Sequence, residues 1–374
     1  MAGLYIHVPF CAKRCIYCDF YSQTNTKYKE EYIKAVIREL NLRKNYLNGD
    51  PLKTIYFGGG TPSQLQANDF EQIFNAIANL YDISPCEEIT LEANPDDISD
   101  EYLKKIKQFP FNRISLGVQS FDDKALHFLN RRHNRKQAIN AVHLCQEAGF
   151  TNLSIDLMYG LPQQSPESWD ADLSEALDLK IPHFSAYHLS YEEGTNLYEK
   201  MEAGTVSPID EETSILLFNI LIDKLGTAGY LHYEISNFCT PGNFAKHNSI
   251  YWTDHKYIGI GPAAHSYNNH SRQWNVSSLT DYITNILNDK TFFEEEILDL
   301  KSRYNDYILT HLRTIWGIQL NELHDKFGQN LYDYFSTQSK PYLEKKLLEK
   351  NKETVKLSTK GIFISDSIFR DLIK

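Results

Sequence analysis

The stretch "CAKRCIYCDF", residues 11–20, puts cysteines at 11, 15 and 18, with no fourth at similar spacing. Thiolates this close together on one loop suit zinc or an iron–sulfur cluster, because soft sulfur ligands select those metals. Structural zinc takes four protein ligands, and His7 lies back inside the strand before the loop. A cubane cluster has four irons, so three cysteines hold three of them and leave one open as a reaction site. The alternative is a closed electron-transfer cluster with Cys86, Cys145 or Cys239 as the fourth ligand. Otherwise those three scattered cysteines read as buried small hydrophobes.

Outward from this loop, short β-rich runs alternate with helical ones. "GLYIHV" precedes the cysteines, and a helix follows within Tyr28 to Leu47, with Ile33, Val36, Ile37 and Leu40 on one face. "TIYF", "EITLEA", "RISLGV", "LSIDLMYG" and "FSAYHLS" are the next strands, each but the last followed by a helical segment. Such alternation requires parallel strands with right-handed crossovers. The strands end at the cysteine loop, at Gly58–Thr61, at Glu92 and Asn94, at Gln119 and Ser120, near Asp156, and at Tyr187, His188 and Ser190. Parallel α/β folds gather the carboxyl ends of their strands on one rim, where sites form. The expected fold is therefore α/β, a partial (β/α)6 barrel over residues 1–200. An extension over 201–294 follows, with a helix through "DEETSILLFNILIDKLGTAGY", an edge strand at "HYEISNF" and a looser His-, Asn- and Gly-rich stretch to about residue 275. Residues 295–374 read as helices and then a β-ribbon at "TVKLSTKGIFIS", a small winged-helix-like module.

Composition narrows the class. The 374 residues carry a net charge of −11, which makes a poor general nucleic-acid binder. From Lys301 onward 13 basic face 9 acidic residues, so that module is +4 and the preceding 300 residues are −15. The basic excess reads as a solvated face, and a DNA-reading winged helix is the less favoured alternative. "MAGLYIHVPF" lacks the charged start of a signal peptide, and no stretch of 18 apolar residues exists to span a membrane. A cytoplasmic protein is expected, where disulfides are rare and clustered cysteines point to metal or catalysis.

"GGGTP", residues 58–62, lets backbone approach a ligand closely and offers unobstructed N–H groups. It is not a nucleotide motif: no GxxxxGK[ST] exists, and Ser63 stands where GxGxxG needs its last glycine. "GIGPAA" at 259–264 fits GxGxxA, but it lies late, outside any clear βαβ unit, and carries Pro262, so it reads as chance.

The CxxxCxxC loop straight after a first strand, with Tyr17 just before the third cysteine and a barrel following, resembles the radical S-adenosylmethionine superfamily. The resemblance implies a [4Fe–4S] cluster on Cys11, Cys15 and Cys18. The amino and carboxylate groups of S-adenosylmethionine would fill the open iron, and the GGGTP loop would hold its methionine end. "YIHVPFC", "YFGGGTPS", "LEANP", "SLGVQSF", "LNRRH" and "IDLMYGLPQQ" occur in that order from residue 5 to about 165. They resemble the coproporphyrinogen-oxidase-like branch, which implies that Tyr5, Gly59, Gly60, Thr61, Glu92, Gln119, Arg131 and Asp156 line the cofactor site. The chemistry agrees: carboxylates and amides suit ribose hydroxyls and an ammonium, and Arg131 suits a carboxylate. Without the family, Arg131 would read as a surface ion pair.

Within that branch, oxygen-independent dehydrogenases that decarboxylate propionates stand beside haem-binding chaperones. The dehydrogenases have a further cysteine two positions after the third, where this chain has Phe20, and an arm ahead of the first strand, which here begins almost at Met1. "HNSIYW", residues 247–252, matches the HNxxYW stretch linked to haem in the chaperones. The resemblance thus implies haem near His247, Asn248, Tyr251 and Trp252, with His188 and His265 as other candidate ligands. It also implies haem-accepting partner proteins, membrane-associated respiratory ones among them, and a homodimer, while the acidic main body argues against nucleic acid.

Overall fold

The computed structural model describes residues 1–374. Six strands lie side by side in chain order, each parallel to the next: β1 (Ala2–Val8), β2 (Leu52–Gly59), β3 (Glu88–Ala93), β4 (Arg113–Gln119), β5 (Asn152–Tyr159) and β6 (His183–His188). Helices Lys29–Leu42, Ala67–Leu80, Asp100–Ile106, Arg135–Glu147 and Pro166–Asp178 form the crossovers. The period-two alternation of β1 shows the division of labour. Ala2, Leu4, Ile6 and Val8 pack in the core with Tyr32, Ile33, Val36 and Leu40 of the first helix, while Tyr5 and His7 turn to the barrel interior. Helix starts are locally encoded: Asn134 and Ser165 each accept the N–H three residues on.

The sheet does not stop at β6. β7 (Leu231–Glu234) and β8 (Asn237–Cys239) form a hairpin whose second strand pairs antiparallel with β6. On the other side, the stretch expected to be loose is ordered. β9 (Lys256–Ile260) pairs parallel with β1, and β10 (His265–Tyr267), β11 (Ser271–Asn275) and β12 (Phe293–Ile297) continue antiparallel, giving an open sheet of 12 strands. The expected division near residue 200 is therefore no break in the sheet. "GIGPAA" begins with the last two residues of β9, and the Gly261 N–H donates to Glu39, so its glycines serve the fold.

The last segment has its own apolar core, including Tyr304, Ile308, Leu312, Leu323, Phe335 and Leu372. It holds helix Leu300–Leu312, helix Leu320–Glu344 interrupted at Gly328, and a three-stranded sheet of β13 (Ile318–Gln319), β14 (Leu348–Asn351) and β15 (Thr354–Leu357). The ribbon is thus β14–β15, one strand earlier than expected. "TKGI" is helical because Ser358 caps it by accepting the Gly361 N–H.

One buried ion pair fastens the added strands to the barrel. Glu39 is fully buried and Arg43 7% exposed, 3.1 Å apart, one turn apart on the first helix. Arg43 also donates to the Gly259 carbonyl, Ser266 and Gln273, while Glu39 accepts from the Gly261 N–H, Asn275 and Tyr282. Glu39 accepts four hydrogen bonds and Arg43 donates four, so removing one strands the other. Arg43→Met is expected to cost about 3–5 kcal/mol of stability in urea titrations.

Candidate metal and cofactor site

The loop after β1 brings Cys11, Cys15 and Cys18 to the rim made by the carboxyl ends of the strands. They line one cavity of about 400 Å³ together with Gly59, Gly60, Thr61, Glu92, Asn94, Gln119, Arg131, Asp156, Tyr187, His188 and Ser190. The convergence read from the strand endings is therefore real, with one exception. Ser120 points away and donates to buried Asp172, fastening the Pro166–Asp178 helix.

Backbone contacts set the loop against its neighbours. The Gly60 and Thr61 N–H groups donate to the Val8 and Phe10 carbonyls at 2.8 Å, and Cys11 donates to Gln23 at 2.9 Å. A Cβ at Gly60 would lie 2.8 and 2.9 Å from those same two carbonyls and 3.1 Å from the Cys11 sulfur. Gly59 has φ +104°, and a Cβ there would strike the His7 ring at 2.5 Å. Both glycines are thus required by close approach. The "LNRRH" segment buttresses the loop from the far side: Asn130 donates to the Arg14 carbonyl at 2.8 Å, and Ile16 donates to Leu129. Gln119 enters the cavity from a residue at φ +69°, a strained backbone of the kind kept at functional sites.

The three thiols share one cavity wall with no fourth thiol beside them, and a cubane would take each cysteine on a different iron, with one iron left to the cavity. Thr61 Oγ1 donates to the Cys11 sulfur at 3.3 Å, and Arg131 donates to that of Cys15 at 3.2 Å. Hydrogen bonds of this kind tune such clusters. Burial pushes the Cys11 thiol up, and that of Cys18 to about 11, so iron must displace protons on binding. None of the other cysteines is a fourth ligand. Cys145 and Cys239 are buried in the apolar core, and Cys86 donates to the Glu88 carbonyl at the opposite end of β3.

Beyond the thiols the cavity is acidic. Burial, reinforced by Asp156, raises Glu92 to about 7 against the opposing hydrogen bonds from Tyr56 and Gly59. Burial likewise raises Asp156 to about 6, opposed by Ser185, Arg113, Ser115 and Arg131. Arg131 donates to Asn94 at 2.6 Å and to the Gly117 carbonyl, and its Nε has no partner. Two carboxylates held out of water beside one guanidinium suit a ligand that is mainly cationic and carries one carboxylate.

Some expected site residues lie elsewhere. Tyr5 is behind Gly58, its ring 6.1 Å from Tyr56 and its hydroxyl on His7, so it backs the cavity without lining it. His247 and Tyr251 sit on helix Lys246–Trp252, which packs on β1, β2 and β9 at the end of the barrel opposite the cysteines. His247 is 1% exposed and both ring nitrogens are engaged, with Thr54 at 2.7 Å and Tyr251 at 2.9 Å. Burial lowers it to about 3. It is a satisfied interior histidine, with no nitrogen free for iron. Trp252 stacks under Arg313, 4.0 Å from its ring centre, and so faces the C-terminal module. Asn248 is half-buried on the same helix. His188 and His265 are exposed, and His188 is on the cavity wall. Tyr56 was missed by sequence reasoning, although counting inward by two from Gly58 places it on the interior face.

A partial parallel barrel whose rim presents three cysteines beside a glycine-lined acidic cavity defines a radical S-adenosylmethionine protein. The family model of the radical SAM superfamily matches residues 5–176, and that of the HemN C-terminal domain matches residues 298–364. The chain belongs to the HemW heme chaperone family within that superfamily. It is 34% identical to heme chaperone HemW of Lactococcus lactis, covering 99% of this chain and 96% of that one. It is 33% identical to that of Bacillus subtilis, covering 99% and 98%. The solved structure of coproporphyrinogen III oxidase (HemN) from Escherichia coli, a radical SAM enzyme, shares the fold with a TM-score of 0.87 at 21% identity, over 100% of this chain and 90% of that one. The superfamily implies a [4Fe–4S] cluster and S-adenosylmethionine.

The raised acids carry a stability signature. A carboxyl whose folded pKa lies above its unfolded value stabilises the fold below about pH 4, and that contribution is lost as pH rises through the folded value. For Asp156 and Glu92 the loss begins near pH 4 and is complete by about 6 and about 7. Glu92→Gln is expected to raise the melting temperature of cofactor-free protein by roughly 2–5 °C at pH 8 and by much less at pH 5, read by calorimetry.

Proposed function

We propose that this chain is a haem chaperone that binds haem and passes it to acceptor haemoproteins. Cys11, Cys15 and Cys18 would hold the [4Fe–4S] cluster, and S-adenosylmethionine would lie against Gly59, Gly60, Thr61, Gln119 and the acid pair Glu92 and Asp156, with Arg131 toward its carboxylate. When bound, the cluster supplies an electron and an open iron for that cofactor. The observation that carries the reading is the full-length similarity to relatives named heme chaperones. It is supported by Phe20, which stands on the cavity rim 62% exposed, so the rim offers a porphyrin an aromatic face and no further thiol. With His247 engaged in the interior, His188 on the cavity wall is the imidazole we assign to the iron, for which it would give up its exposed 3.1 Å contact with Ser214.

Acceptors at the membrane, a cytoplasmic location and a homodimer belong to the same proposal. No helix is long and apolar enough to cross a membrane.

The tests use protein reconstituted under nitrogen. Haem titration is expected to give a saturable Soret shift that His188→Ala diminishes and His247→Ala keeps. Coproporphyrinogen III is expected to remain unconverted, and turnover at enzymatic rates would replace the chaperone reading with that of the dehydrogenase. S-adenosylmethionine binding is expected to tighten as pH rises from 5 to 8, because Glu92 and Asp156 ionise in that interval. Roughly a 10-fold change in dissociation constant is expected, and Glu92→Gln should flatten the profile.

A further inference from the structure

If His247 is not free for iron, the helix that carries it needs another role, and the barrel interior supplies one. Glu88 on β3 caps this helix, accepting the N–H groups of Lys246 and His247 at 3.0 and 2.9 Å. The cap seats the imidazole on the floor of the barrel, between Thr54 and Tyr251. A Cβ at Gly3 would come within 3.3 Å of the ring and 3.0 Å of Ile250, so the floor is closely packed.

On top of His247 lies the ring of Tyr56, stacked at 5.0 Å and 27°. The Tyr56 hydroxyl donates to one oxygen of Glu92 at 2.6 Å, and the Gly59 N–H donates to the other at 3.2 Å. The Glu92 carboxylate is thus gripped from below by a phenol and from above by the glycine loop, with its remaining lone pairs free for the cavity. Thr54, Tyr56 and Gly58 occupy alternate positions of β2, so one strand aligns the whole column.

We propose that His247 is a positioning residue for the cofactor site: by supporting the Tyr56 ring it fixes the hydroxyl that orients Glu92. This rests on the reading that S-adenosylmethionine occupies the cavity. Without the imidazole the phenol can tilt, and Glu92 loses its short hydrogen bond. A carboxylate without that donor is more readily protonated and serves a cationic ligand less well. His247 itself stays neutral, so its influence is geometric.

The test measures S-adenosylmethionine affinity by equilibrium dialysis on cluster-reconstituted protein, together with the infrared band of the protonated Glu92 carboxyl, identified by its loss in Glu92→Gln. His247→Ala and Tyr56→Phe are each expected to weaken binding roughly 5- to 20-fold and to enlarge that band at pH 7. The double variant is expected to be no weaker than the weaker single one within about 2-fold, because both remove the same grip. His247→Phe, which keeps a flat ring under Tyr56, is expected to restore affinity to within about 3-fold. Wild-type affinity in a folded His247→Ala would overturn the proposal; should that variant not fold, His247→Gln, which keeps polar atoms but loses the ring, decides the same way. Wild-type protein that binds no S-adenosylmethionine sinks the underlying reading and the column with it. Wild-type binding with unaffected variants sinks the column alone.

Discussion

The parallel pairing of β1 with β2 is the constraint on which the site depends. It sets Val8 opposite Gly59, so the two loops that follow leave the sheet side by side. The Gly60 and Thr61 N–H groups then bond to carbonyls at Val8 and Phe10. A larger residue at position 60 would push the two loops apart, because its Cβ would meet both carbonyls and the first sulfur. The cysteine loop and the glycine loop are in this sense one piece of backbone, held by hydrogen bonds that any residue can make and by an absence of side chain that only glycine offers.

Electrostatics then divide the cavity. Its thiol end receives donors from Thr61 and Arg131. Its inner end holds two carboxylates that burial makes reluctant to ionise. A ligand with a cationic centre relieves that reluctance, so folding strain is converted to binding preference. In the Glu39–Arg43 pair, by contrast, the carboxylate accepts four hydrogen bonds and the guanidinium donates four, leaving no carboxylate lone pair for a ligand. The contrast between a satisfied buried charge and a poorly satisfied one separates the structural cluster from the functional one.

Much of this was legible in the chain. The six-strand order, the rim and the cysteine loop follow from hydrophobic period and the placement of polar residues at strand ends, which are local signals. β9 to β12 are not legible, because the strands are short and the first of them takes its place from β1, over 200 residues distant, with Arg43 fastening β9, β10 and β11 to the first helix. The ribbon lies one strand earlier than its sequence suggests because "LEKN" is charged and mostly exposed, a poor advertisement for a strand, while the start of "GIFIS" has β-prone residues that a Ser358 cap turns into helix. The motif around His247 points to haem nearby, whereas the imidazole is held in the interior. Its partners Thr54 and Tyr56 sit in a run that reads as plain buried strand.

The floor helix has a consequence for traffic. With His247 and Ile250 plugging the amino ends of β1 and β2, this side of the barrel is a blind alley, and the rim beside Phe20 is its doorway. A guest arriving second meets whatever was seated first and cannot slip in from behind. The cavity is thus served from its thiol side, and a substitution at the floor reaches a bound molecule only through the side chains stacked above it.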